Sequence, residues 1–173
     1  LAVNTGGDRE FPAGMVNSSM IIGDKSFALG KRTYLMGILN ITPDSFSDGG
    51  RFNRLEDAVR HAVEMEAQGA DIIDVGGEST RPGHVPLDQE EEIKRVLPVI
   101  RALKGKVGIP VSIDTYKARV AELAVLEGAD LINDVWGFKK DPLMAGVAAR
   151  WGVPCCLMHN RHNTDYADLM PDI

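Results

Sequence analysis

The sequence predicts an α/β protein built on a parallel sheet, and three observations carry that expectation. From residue 34 onward, short apolar runs alternate with amphipathic stretches at helical spacing. The runs are continuous, as they are in strands covered on both faces. A helix end, a Gly-Ala-Asp turn and a strand also recur, first as EAQGADIIDV and again as VLEGADLINDV, which is a βα period. Strands separated by helices of this length pair in parallel with the helices outside. A (βα)8 barrel and an open doubly wound sheet both satisfy the pattern.

Residues 1–19 are rich in Gly, Asn and Ser without a period and read as an extension or added segment outside the fold, leaving 20–173 as the domain. MIIGDKSFAL and RTYLMGILN flank a turn-prone GKR, which predicts a hairpin leading into a buried strand. The strand candidates are YLMGIL, DIIDV, GIPVSID, DLIND and PCCLMH. The first helix candidate, NRLEDAVRHAVEMEAQG, carries Leu55, Ala58, Val59, Ala62 and Met65 on one stripe, with Asn53 and Glu56 as a capping box and Gly69 at its end. The second runs from Asp88, with acids in its first turn and Ile93, Val96, Leu97 and Ile100 inward; Pro98 should kink it or cost a hydrogen bond. The third is KARVAELAVLEG. The fourth opens on Asp141 and Pro142 as cap and first residue and ends near Gly152.

Composition bounds the function. The 173 residues are 44% hydrophobic and 25% charged, in the globular range and enough for one core. A net charge of -6 opposes broad binding to nucleic acid or anionic lipid. No apolar run approaches the ~20 residues that cross a bilayer, and no leader is legible, so a cytoplasmic protein is expected. Cys155 and Cys156 are adjacent in an apolar run and read as buried, reduced thiols.

The chemistry gathers where the apolar runs stop. Asn40, Asp74, Asp114, Asn133 and His159 each close one. Parallel strands bring such ends to one rim, where α/β folds bind ligands. Two of the following loops exceed the ~2–6 residues an α/β connection needs. NITPDSFSDGG combines Pro43 with acids, serines and glycines, and GGESTRPGHVP sets Glu78, Ser79, Thr80 and the cationic fork of Arg81 after two glycines. Neither contains a dinucleotide or P-loop fingerprint.

MGILNITPDSFSDGG, DIIDVGGESTRPG, PVSIDTYKARVAELAVLEGADLINDVWG and CLMHNR together resemble the dihydropteroate synthase family of the bacterial folate pathway over about residues 20–173. The resemblance implies a (βα)8 barrel of the TIM type, with this chain supplying about the first five βα units after the hairpin. It implies that 6-hydroxymethyl-7,8-dihydropterin pyrophosphate is joined to p-aminobenzoate, giving 7,8-dihydropteroate and pyrophosphate, with sulfonamides as competitors and a homodimer as the assembly. By motif, Asn40 matches a Mg²⁺-associated asparagine that helps hold the pyrophosphate. Asp114 and Asn133 match pterin-binding positions, and Met158 lies along the pterin face. Phe46, Asp48, Thr80, Arg81 and Pro82 match positions around p-aminobenzoate and the pyrophosphate on two loops that close over the substrates. Asp114, Asp48 and Arg81 are thereby implied in catalysis. The family also implies three further strands after Ile173, bearing an aspartate, a lysine and an anion-binding arginine. An inactive pterin-binding protein or fragment, and a methyltetrahydrofolate-dependent methyltransferase, are the alternatives.

Overall fold

The protein is seen here as a computed structural model that describes residues 19–41, 51–78, 86–161 and 165–172. It opens on an antiparallel hairpin, β1 (Ser19–Ile22) and β2 (Lys25–Ala28). The turn is Gly23 and Asp24, within MIIGDKSFAL itself and not at the GKR of residues 30–32 that the sequence favours, so both arms of the hairpin come from the first of the two flanking segments. Gly23 takes φ +59, the left-handed geometry that two-residue hairpin turns demand of their first central residue.

Five parallel strands follow in sequential order: β3 (Met36–Asn40), β4 (Ile72–Gly76), β5 (Val111–Asp114), β6 (Leu131–Asp134) and β7 (Cys155–Leu157). Between them run α1 (Arg51–Ala67), α2 (Gln89–Leu103), α3 (Ala118–Glu127) and α4 (Met144–Trp151), with a short α5 (Leu169–Asp172) after β7. Sequential order, unlike the reversal of a doubly wound sheet, is the order of the (βα)8 barrel. The described residues carry five such units of that fold type.

Leu39, Val75, Ile113 and Ile132 face the helices and are each at most 1% exposed, packed with Ala58, Ala62, Val96, Ile100, Val120 and Met144. Burying a side chain of this size contributes about 1.5–3 kcal/mol, so this row anchors the sheet to its helices. On the opposite face, Ile22 and Phe27 of the hairpin pack against Ile72 and Leu131. The hairpin therefore covers the inner face at the N-terminal end of the strands and leaves the C-terminal end to polar residues.

The repeated Gly-Ala-Asp turns are one device used twice. Gly69 (φ +102) and Gly128 (φ +115) close α1 and α3; in each turn the glycine N–H and the next alanine N–H donate back to the last helical carbonyls. The aspartate then ties the new strand to its neighbour: Asp71 accepts the Leu35 N–H at 2.8 Å, and Asp130 accepts the Val111 N–H at 3.0 Å.

Some helix expectations need correction. Helix α1 begins at Arg51, so Asn53 lies inside its first turn and not at the cap. Helix α2 is capped by Asp88 as expected, and Pro98 lies inside it with its ring on the exposed side, where its missing N–H costs the helix one hydrogen bond. Helix α4 starts at Met144, after a turn that Asp141 holds by accepting the Leu143 N–H at 3.0 Å. The other Asp141 oxygen accepts the Ala118 N–H at 2.8 Å, so one carboxylate caps the starts of two helices. Cys155 and Cys156 are both free thiols, but only Cys155 turns toward the helix-side core; Cys156 is exposed, because adjacent strand residues point to opposite faces. No helix among the described residues is long and apolar enough to cross a membrane.

Candidate functional site

Strand register aligns three of the polar rim positions, Asn40, Asp114 and Asn133, with Gly76 and Cys156. Asn40 pairs with Gly76, Gly76 with Asp114, Asp114 with Asn133, and Asn133 with Cys156. All five positions share the face away from the helices. Gly76 is the gap in this row: a Cβ there would lie 3.3 Å from Asn40 Oδ1 and 3.5 Å from Asp114 Oδ2. Its missing side chain lets an amide oxygen and a carboxylate from strands on either side approach the same space.

Asp74 lies one layer deeper on the same face. It is 4% exposed and accepts a 2.9 Å hydrogen bond from Asn133 Nδ2. Burial raises the Asp74 pKa above the ordinary carboxylate range, against the opposing pull of the Ser112 and Asn133 side chains. Asp114 is pushed up to about 7, first by burial and then by the negative charges of Asp74, Glu92, Asp134 and Glu78. A carboxyl in this setting changes charge near neutral pH. It suits a partner that is cationic or rich in N–H donors.

Asp134 shapes the next loop. Its carboxylate accepts the Trp136 and Phe138 N–H groups, each at 2.8 Å, and its carbonyl accepts those of Gly137 and Met158. These bonds hold Phe138 at φ +67, a left-handed conformation that costs a bulky residue on the order of 1–3 kcal/mol. A Cβ on Gly137 would come within 2.9 Å of the Met158 carbonyl. Met158 is thus seated just past β7, 49% exposed at the rim. His159 follows it, its Nε2 3.2 Å from the Tyr166 hydroxyl.

A buried ionic cluster supports the stem of the second loop. Lys117 pairs with Glu78 at 2.5 Å and with Glu92, and the Tyr116 hydroxyl donates to Glu78 at 3.0 Å. Burial works against the charge on Lys117, but the two carboxylates hold its pKa above normal. Glu78 also accepts the Leu87 N–H at 3.1 Å, so it joins the residues on either side of 79–86. The first-turn reading of Glu92 missed this role. The signal was available, since 92, 96, 99 and 103 follow helical spacing and all four are buried.

The structure therefore brings Asn40, Asp114 and Asn133 into one row, with Met158 at the same end of the sheet. Phe46, Asp48, Thr80, Arg81 and Pro82 lie outside the described residues.

Comparison with known proteins agrees with this architecture. The family described as pterin binding enzyme matches residues 36–173. The dihydropteroate synthase of Clostridium beijerinckii is 66% identical over 154 residues, which cover 89% of this chain and 57% of that protein. A crystal structure of dihydropteroate synthase from Clostridium difficile in the presence of pteroic acid superposes with a TM-score of 0.79 at 58% identity, covering 82% of this chain and 54% of that one. The Xanthomonas albilineans dihydropteroate synthase, in complex with indole-2-carboxylic acid and 6-chloroguanine, gives 0.79 at 40% identity, covering 89% and 56%. The chain thus spans little more than half the length of these relatives. With its match running from β3 to the last residue, and with its strand-end row in the place where such folds bind ligands, the chain belongs to the pterin binding enzyme family.

Proposed function

We propose that this chain forms the pterin-binding portion of a dihydropteroate synthase, which condenses 6-hydroxymethyl-7,8-dihydropterin pyrophosphate with p-aminobenzoate to give 7,8-dihydropteroate and pyrophosphate. The observation that carries the reading is the row of Asn40, Asp114 and Asn133 around the bare Gly76. Asp114 and Asn133 offer acceptors to the N–H-rich edge of a pterin, and Met158 would lie against its ring.

Loss of pyrophosphate leaves a delocalised pterin cation, which the aryl amine then attacks. Charge at Asp114, in a site already dense with carboxylates, stabilises that cation. The same acidity repels pyrophosphate, so the anion needs positive charge from elsewhere. Arg81 is the assigned cation, with Asp48, Phe46, Thr80 and Pro82 completing the surroundings of p-aminobenzoate and pyrophosphate. Among the described residues no three His, Cys, Asp or Glu side chains gather to hold a metal. A cation here would rest on the exposed Asn40 oxygen together with water and phosphate oxygens, which is how Mg²⁺ commonly binds. Mg²⁺ bound there would neutralise charge on the leaving pyrophosphate. The assigned assembly is a homodimer and the assigned compartment the cytoplasm.

The test gives the intact polypeptide both substrates with Mg²⁺ and follows pyrophosphate release beside pterin binding by calorimetry. Binding with release of one pyrophosphate per dihydropteroate is expected. Binding without release would make this a pterin-binding protein and not a synthase.

A further inference from the structure

Asp74 has no part in the reading above, yet it is the most enclosed acid on the inner face. It is 4% exposed, and its Oδ2 accepts from Asn133 Nδ2 at 2.9 Å. Its Oδ1 and the hydroxyl of Ser112, its neighbour across the strand pair, are both buried without a well-formed hydrogen bond among the described residues, although Ser112 lies near enough to draw the Asp74 pKa down. A buried carboxyl with one oxygen poorly satisfied is costly, so the position calls for a use.

The chemistry of the amide supplies one. An asparagine side chain ends in a donor on one side and an acceptor on the other, whereas an ionised carboxylate only accepts. Asn133 bonded to Asp74 must turn its NH₂ group down into the sheet face, which points Oδ1 toward the rim it shares with Asp114. We propose that Asp74 is a positioning residue that fixes the Asn133 amide, so that two acceptors, Asn133 Oδ1 and the Asp114 carboxyl, face the ligand and select heterocycles with a donor edge. The proposal rests on the pterin reading and adds to it the origin of its specificity.

The probes are 6-chloroguanine, which carries a 2-amino donor, and 6-chloropurine, which lacks it. Calorimetry on the intact polypeptide should give the wild type at least a tenfold preference for 6-chloroguanine, since a site built around a hydrogen bond rejects the ligand that cannot make it. In Asp74→Leu the preference should fall severalfold, to what the Asp114 carboxyl alone supports, with 6-chloropurine binding nearly unchanged. Equal weakening of both probes, or an unchanged ratio, would overturn the proposal. A second measurement needs neither the variant nor a ligand: the Asn133 side-chain NH₂ of the wild type should exchange with water more slowly than an exposed amide. Exchange as fast as that of an exposed amide would also overturn it. If the wild type bound neither purine, the pterin reading would fail while the exchange rate still decided how Asn133 is held.

Discussion

One residue of register separates the row Leu39, Val75, Ile113 and Ile132 from the row Asn40, Gly76, Asp114 and Asn133. The first row faces the helices, is essentially solvent-free and holds no polar side chain. The second faces the other way, leaves Asn40 exposed and surrounds Asp114 with carboxylates. Strand side chains alternate, so three of these strands follow an apolar residue with a polar one and the fourth with a glycine that leaves room, anchoring the sheet with the former row and addressing a ligand with the latter. Stability and chemistry are thereby divided between the two faces of the same backbone. Substitution in one row should leave the property of the other largely intact.

The largest expected effect breaks the helix-side row. Ile113→Ala should destabilise the fold by about 2–5 kcal/mol, read from denaturant unfolding, because a fully buried side chain leaves a cavity. Its folded fraction should keep the ligand preference of the wild type. Asp114→Asn should do the reverse, removing turnover while the fold persists. The pH dependence gives the sign. With its carboxyl pKa raised, folded Asp114 holds its proton more tightly than the unfolded chain does, so its charge costs nothing below about pH 4 and its full penalty above about pH 7. Wild-type stability should therefore lose this contribution as pH rises through that window. Asp114→Asn should flatten the loss and unfold at higher denaturant above pH 7; an identical pH profile for the two would count against the burial of this charge.

Neighbouring glycines sharpen the division. A Cβ at Gly77 would meet Val96 Cγ1 at 2.8 Å and Glu92 Cγ at 3.0 Å, so Gly77→Ala should force α2 outward and cost about 1–3 kcal/mol of stability. A Cβ at Gly76 meets the Asn40 and Asp114 oxygens instead, at 3.3 and 3.5 Å. Gly76→Ala should move stability by less than about 1 kcal/mol and weaken pterin binding severalfold. If the two substitutions had the same effects, the two-face account would be wrong.

Much of this was legible from residue type and order. The five strands, their parallel pairing and the repeated Gly-Ala-Asp turns follow from continuous apolar runs punctuated by glycines with positive φ. Asn40, Asp114 and Asn133 stood out because a polar residue closing a buried strand has few structural reasons to be there. Contacts between distant segments were not legible. Asp141 capping both α3 and α4, and Lys117 lying between Glu78 and Glu92, depend on tertiary placement that no local pattern encodes. The hairpin turn was misplaced because Gly-Asp and Gly-Lys are both turn formers, and the choice between them was made by the packing of Ile22 and Phe27 on Ile72 and Leu131. Cys156 was read as buried from its apolar neighbours, although the alternation of a strand sends it to the rim.

A crystal structure of the intact polypeptide with pteroic acid tests the division of faces most directly. The account predicts the pterin ring over Gly76, with its donor edge on Asp114 and Asn133 Oδ1 and the Asn133 NH₂ still on Asp74. A ligand bound elsewhere on the molecule, with that row left in contact with water, would contradict it.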